Sequence, residues 1–237
     1  MTSSPLLEVS GLVARYGKAR VLDGLDLTVN RGETVAILGR NGAGKSTLMK
    51  CIIGLITEKT GSIRFNGAEI ATLPPYKVSR AGIGYVPEER RIFTELTVRE
   101  NLEVGRLRGR SNTRWPLDRI IEIFPNLKRL LDRPGAQMSG GEQQMVTMAR
   151  TLLTGPDLIL LDEPSEGLAP VIVDQMAGMI RDMQASGLSI LISEQNMRFA
   201  SKISQRAYLL ERGEIKFSGP MQTIATNQEL YHAHLAV

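Results

Sequence analysis

Apolar residues alternate or run together over residues 6–13 and 21–29, with Gly17 and Lys18 between them, the pattern of two strands in an antiparallel layer. A turn at Asn30-Arg31-Gly32 leads into the apolar run 35–38, long enough for a buried strand. Residues 45–55 read as an apolar helix with Gly54 near its end, 61–66 as an alternating strand closed by Gly67, and 83–87 as another short strand. From Thr97 to about Leu131 charges become dense and apolar residues fall at helical spacing (Leu102, Val104, Leu107; Ile120, Ile121, Phe124), with a basic, polar turn over 106–114. Helix 143–153, the fully apolar strand 158–161, helix 171–184, strand 188–193 and helix 195–203 follow, then a hairpin of 207–211 with 214–217 through Arg212-Gly213, and a helical tail. Strands alternating with helices imply an α/β fold with a mainly parallel core sheet and helices on both faces. The expected organisation is a single domain spanning 1–237: a core of 1–90 and 154–237 carrying the antiparallel β layer, and an inserted helical subdomain at 91–153.

The stretch that turns this pattern into chemistry is V-A-I-L-G-R-N-G-A-G-K-S-T-L, residues 35–48. Gly39, Arg40, Asn41, Gly42, Ala43, Gly44, Lys45 and Ser46 match the phosphate-loop pattern G-x-x-x-x-G-K-S/T, and Thr47 continues into a helix. Glycines let backbone N–H groups turn toward phosphate oxygens, and the new helix N-terminus adds its positive dipole end. Lys45 is expected to reach terminal phosphates and the Ser46 hydroxyl to ligate Mg2+. Tyr16, just before the turn that follows the first strand, is either a half-buried strand residue or, with a phosphate loop downstream, a stacking platform for an adenine ring. The reading so far is a nucleotide-binding domain.

Composition adds little beyond limits. A net charge of +4 is mild, and its default meaning is solubility. Cys51 is the single cysteine, in the apolar helix, so neither an intrachain disulfide nor a cysteine-rich metal site can form. Residues 1–5 lack the basic-then-apolar pattern of a signal peptide, and no apolar run approaches the ~20 residues that span a bilayer. A cytosolic chain, able to work at a membrane, is the expectation.

Further motifs follow the phosphate loop in a fixed order: Ser139-Gly140-Gly141-Glu142-Gln143, then Asp162-Glu163-Pro164 at the end of an apolar strand. Acids at the C-terminal edge of an open α/β sheet stand where its ligands bind. With these motifs the whole chain, from Tyr16 to the tail, resembles an ABC-type ATPase, a P-loop NTPase that powers transport with ATP. The resemblance implies that Ser139, Gly140 and Gly141 cap ATP held by a facing subunit. It implies that Asp162 associates with Mg2+ and that Glu163 is the general base polarising the attacking water. Three positions depart from the common pattern. Glu88 stands where the Q-loop glutamine is usual; it can still accept from water and ligate Mg2+. Ala169 replaces the aspartate that normally ends the D-loop, and Gln195 stands at the switch histidine. The chain's histidines, His232 and His234, are both in the tail, and a glutamine can bond a terminal phosphate without carrying positive charge.

The runs V-P-E-E-R-R-I-F (86–93), D-E-P-S-E-G-L-A-P (162–170) and S-E-Q-N (193–196) are similar to the second ATPase of branched-chain amino-acid import systems. That subfamily implies a sister ABC ATPase in a heterodimer (a homodimer remains open), two integral-membrane permease subunits and a soluble substrate-binding protein. It also implies a peripheral place on the cytoplasmic face of the inner membrane, and no nucleic acid. Glu88 to Phe93 and the helices after them are expected to receive a permease helix, Ile92 and Phe93 being either interface or core. Urea and short-chain amide importers use close relatives, and Gly39-Arg40-Asn41-Gly42 suits them as well. A soluble ABC ATPase without a permease often carries two nucleotide-binding domains, and this chain has one. A chromosome-organising ATPase separates its motifs with a long coiled coil, and a guanine-nucleotide switch carries an N-K-x-D run that is absent here.

Overall fold

The structure is a computed structural model that describes residues 4–106 and 114–227. Two sheets organise it. The first is antiparallel, in the order β2-β1-β4-β5, built from β1 (Leu7–Tyr16), β2 (Ala19–Val29), β4 (Lys59–Phe65) and the two-residue β5 (Ala68–Glu69). The second has the order β10-β9-β3-β8-β7-β6, from β3 (Thr34–Leu38), β6 (Ile83–Val86), β7 (Leu158–Asp162), β8 (Ser189–Glu194), β9 (Arg206–Glu211) and β10 (Glu214–Pro220). All of its pairings are parallel except the β9–β10 hairpin.

Every residue of β3, β7 and β8 is buried, which explains the apolar runs 35–38 and 158–161 within them. Their side chains alternate between two cores. Ala36, Leu38, Ile159, Leu161, Ile190 and Ile192 face the helices of one side, while Val35, Ile37, Leu158, Leu160 and Leu191 face the antiparallel layer. The first face is covered by α3 (Val98–Val104), α4 (Leu117–Ile123), α5 (Gly140–Leu152), α6 (Pro170–Ala185), α7 (Met197–Ile203) and α8 (Met221–Thr226). The second is covered by α1 (Lys45–Ile52), α2 (Pro75–Ala81) and the β2-β1-β4 layer. The helical region expected between residues 97 and 131 contains α3, α4 and a 3-10 turn at Pro125–Leu130, and its buried residues join the first core without a break.

Several boundaries move for local reasons. The helix expected over 45–55 stops at Ile52, because Gly54 turns left-handed at φ 83°. The one expected from residue 143 starts at Gly140, where Ser139 and Glu142 form a reciprocal capping box. That expected from residue 195 starts at Met197, because the Asn196 side chain caps it by accepting from the Phe199 N–H at 3.1 Å. This leaves Gln195 in a loop. Elements β5 and α2 are additions to the sequence reading. The basic stretch 107–113 and the tail beyond residue 227, with His232 and His234, lie outside the described residues.

Parallel strands share a C-terminal edge, and four here bring their following loops together. Register pairs Leu38 with Glu194, Asp162 with Ser193, and Val86 with Leu161. The phosphate loop also rests on the β9–β10 hairpin. A Cβ at Gly39 would collide with the Leu210 carbonyl, and one at Gly213 with the Val21 carbonyl. The Gly213 N–H donates to the Ala43 carbonyl at 2.9 Å, and the Gly213 carbonyl accepts from Asp23 N–H at 3.0 Å.

Candidate active site

Between β3 and α1 the phosphate loop turns through Gly42 at φ 79° and Gly44 at φ 110°, a region that L side chains rarely enter. Its loop and the opposing acids enclose a cleft of about 340 Å3 lined by Val21, Asn41, Gly42, Gly44, Lys45, Ser46, Thr47, Glu88, Glu163 and Glu166. The Lys45 ammonium is buried, with its side chain 3% exposed, and reaches Glu163 Oε1 at 3.0 Å. It also donates to the carbonyls of Gly39 at 2.8 Å and Arg40 at 3.0 Å. A buried cation so placed needs all of these partners, and an incoming phosphate can replace the carboxylate among them.

Asp162 ends β7 with both oxygens engaged. Its Oδ1 accepts from Ser46 Oγ at 3.0 Å and Ser193 Oγ at 2.7 Å, and its Oδ2 accepts from the Tyr85 hydroxyl at 3.1 Å. Burial, together with the Asp162 charge, pushes the Tyr85 phenol far above its ordinary value, so it stays a donor. Ser46 and Asp162 offer oxygen ligands to the same point, with Glu88 also lining the cleft. This donor set fits a hard divalent cation such as Mg2+, which takes one or two carboxylates plus substrate phosphates. No group of three or more His, Cys, Asp or Glu that would form an all-protein cage occurs among the described residues.

Glu163 follows with a left-handed backbone at φ 44°. Its N–H is held by the Ser193 carbonyl and Ser193 Oγ, each at 3.1 Å, and its Oε2 accepts from Gln195 Nε2 at 3.1 Å. Gln195 Nε2 also donates to Asn41 Oδ1 at 2.5 Å, which ties the loop after β8 to the phosphate loop. Burial raises the Glu163 pKa, but hydrogen bonds from Gln195 and Lys45 and the Lys45 charge outweigh it, and the carboxyl is held below its usual range. Glu166 goes the other way: a hydrogen bond with Glu163, then burial, then the Glu163 charge raise it. Glu88 is raised by burial and by the charges of Glu163 and Asp162.

One more carboxyl stands behind these. Glu194, 2% exposed, accepts from the Ser165 N–H at 3.1 Å through Oε1 and from the Asn196 N–H at 3.3 Å through Oε2. It thereby joins the loop after Glu163 to the loop carrying Gln195. Burial is the main cause that pushes its carboxyl up to about 7.

The expected residues separate into two places. The phosphate loop, Asp162, Glu163, Gln195 and Glu88 meet around the cleft. Tyr16, at the end of β1, is 51% exposed and is not among the cleft's lining residues. Ser139, Gly140 and Gly141 open α5 away from it, the Ser139 hydroxyl accepting from Glu142 N–H at 3.4 Å while Gly141 packs against Ile172. The sequence reading did not assign Val21 and Glu166, which line the cleft, or Tyr85 and Ser193, which hold Asp162 behind it. Glu166 lies within the quoted D-E-P-S-E run, whereas the roles of Tyr85 and Ser193 come from strand register.

A family profile described as "ABC transporter" matches residues 22–166, more than half of the chain. The chain belongs to the ABC transporter family. Among its relatives is the high-affinity branched-chain amino acid transport ATP-binding protein BraG of Pseudomonas aeruginosa, 40% identical over 221 residues, covering 93% of this chain and 95% of that protein. Another is the lipopolysaccharide export system ATP-binding protein LptB of Haemophilus influenzae, 35% identical over 234 residues, covering 97% of each. Of the solved structures, a nucleotide-free ATP-binding cassette from an ABC transporter superposes with a TM-score of 0.83 at 27% identity, covering 96% of this chain and 97% of that one. The ADP conformation of another cassette gives 0.82 at 26% identity, covering 97% and 98%. This ABC cassette is therefore an ATP-binding, ATP-hydrolysing transporter subunit.

Proposed function

We propose that the chain hydrolyses ATP with Mg2+ to drive import of branched-chain amino acids, as a peripheral subunit on the cytoplasmic face of the membrane. The chemistry rests on one observation: Glu163 is held at once by Lys45 and Gln195, at 3.0 and 3.1 Å. Lys45 turns to the phosphates when the nucleotide enters, which frees the Glu163 carboxylate to take a proton from water. Ser46 and Asp162 would hold Mg2+, which would supply charge neutralisation for the phosphates, with Glu88 lining the same cleft. Gln195 keeps Glu163 oriented without adding a positive charge. Glu163→Gln should retain ATP affinity and lower turnover by ~10²–10⁴. Wild-type turnover in that variant would remove Glu163 from the role.

Similarity to BraG and the motifs 162–170 and 193–196 favour branched-chain amino acids as the cargo. Similarity to LptB favours a second reading, an export ATPase. Stimulation of ATP turnover, in vesicles containing the cognate permeases, by an amino-acid-loaded binding protein supports import; stimulation by a lipopolysaccharide-type lipid supports export.

The partners follow from the same reading. Residues 91–153 are read as the helical subdomain of the cassette. Phe93 is 47% exposed with the Arg150 guanidinium 5.1 Å from its ring centre, while Ile92 packs against the core. Thr151, which follows Arg150 in α5, lines an apolar groove of about 340 Å3 together with Ile53, Leu55, Tyr76, Ile83 and Tyr85. This surface is read as the seat of a permease helix. The opening of α5 completes the ATP site of a sister ATPase in a head-to-tail heterodimer, whose usual residues offset Ala169 and Gln195. Ser139→Ala or Gly140→Asp should impair ATP-dependent dimerisation, and full cargo-stimulated activity with this chain as sole ATPase would refute the heterodimer.

A further inference from the structure

Arg90 lies in the loop between β6 and α3, outside the lining of the cleft. Its backbone is left-handed at φ 62°, and that of Arg91 follows at φ 38°. Consecutive non-glycine residues in that region persist only where their surroundings over-determine them. Here α5 does so. The Arg90 carbonyl accepts from the Thr147 hydroxyl, and the Arg91 carbonyl accepts from Arg150 Nη2 at 2.6 Å.

Held this way, the Arg90 side chain doubles back between two loops. Its Nη2 donates to the Glu166 carbonyl at 3.1 Å. The guanidinium lies over Gly140, where a Cβ would collide with Nη1, and its Nη2 is 3.6 Å from the position of a Cβ on Gly167. The cation is thus seated between a glycine that opens α5 and a glycine that follows Glu166. A positive charge at a helix N-terminus has the wrong sign for the helix dipole, so the contact is not explained by stabilisation of α5. The contact to Glu166 does explain it. The Glu166 N–H donates to the Glu163 carbonyl at 3.1 Å, and both residues line the same cleft.

We propose that Arg90 is a positioning residue that clamps the opening turn of α5 to the loop 163–167, and so holds the Glu163 carboxylate toward Lys45 and Gln195. Through Arg90, the helix turn read as serving a partner's nucleotide is tied to the base of the chain's own site. Only the consequence for turnover rests on the reading of Glu163 as the base.

The test uses the full chain with Arg90→Ala, Arg90→Lys and Gly140→Ala. Amide hydrogen exchange over 163–168 and over the first turn of α5 is the direct readout, with ATP affinity and melting temperature alongside. Arg90→Ala should speed exchange in both segments about tenfold. ATP affinity should stay within about twofold, and turnover should fall about tenfold at unchanged KM, because an interaction acting only on the transition state is lost. Arg90→Lys keeps the charge but not the planar fork, and should recover less than half of the loss. It also carries the exchange comparison if Arg90→Ala fails to fold. Gly140→Ala evicts the guanidinium, so its effect on exchange at 163–168 should not add to that of Arg90→Ala. Unchanged exchange over 163–168 in the Arg90 variants, or fully additive effects with Gly140→Ala, overturns the clamp. Wild-type turnover in Glu163→Gln instead overturns the reading of the base and leaves the exchange result standing.

Discussion

Glu194→Gln is the sharpest probe of the charge arrangement behind the cleft. The wild-type carboxyl is buried and pushed from an ordinary 4.5 up to about 7. Between those values the folded chain keeps a proton that the unfolded chain has released. Stability therefore falls as pH rises through that window, and is level in this respect above and below it. At 1.36 kcal/mol per pH unit, the loss between pH 5 and pH 8 is about 2–3 kcal/mol. Glutamine does not titrate. It keeps one acceptor for Ser165 or Asn196 and turns an amide N–H toward the other donor, a pH-independent cost of about 1–2 kcal/mol. The stability difference, wild type minus variant, should accordingly shrink by about 2–3 kcal/mol from pH 5 to pH 8, and most steeply below pH 7. Urea unfolding of both proteins across that range measures it, since the other titrating groups cancel in the difference. Parallel curves, differing by less than about 0.5 kcal/mol in their pH dependence, would show that Glu194 is ionised in the folded chain and would refute the argument.

Lys45→Ala removes the fixed partner of the phosphates and leaves Glu163 buried without its cation; ATP affinity measured by calorimetry should fall at least about tenfold, and unchanged affinity would exclude the phosphate-loop assignment. Ser139→Ala removes the capping box of α5 and should lower unfolding free energy by about 1 kcal/mol, read from urea melts. Gly213→Ala places a Cβ against the Val21 carbonyl at a left-handed position, so it should cost more than about 1 kcal/mol and weaken ATP binding together with stability.

What was legible in the sequence was what is local in the chain. The phosphate loop, the Asp162-Glu163 pair and the alternation of strands and helices are each contained in a few consecutive residues. The hand-holding of the site is not. Asp162 is oriented by Ser193 and Tyr85 because β7 lies between β6 and β8 in register, and no local pattern encodes strand order. The sequence reads as a helix from Gln195, but Asn196 caps the helix instead, which frees the glutamine to bridge Asn41 and Glu163. Helix α2 had a readable start in Pro74-Pro75 and a readable stop in Gly82. Strand β5, two residues long, had no signal to read. The Arg90 contacts depend on a left-handed backbone at a non-glycine residue, a conformation that composition argues against.

The contact between Gly213 and the phosphate loop sets an order of events in the life of the chain. Every motif by which the nucleotide site is recognised has been synthesised by residue 195. The floor of that loop, the Leu210 carbonyl and the Gly213 N–H, has not. A nascent chain, which grows from its N-terminus, carries Lys45 and Glu163 long before the β9–β10 hairpin arrives to brace the turn around Ala43. Competence to hold nucleotide thus arrives only as the last strands emerge, so an incomplete cassette is not expected to bind ATP during its own synthesis.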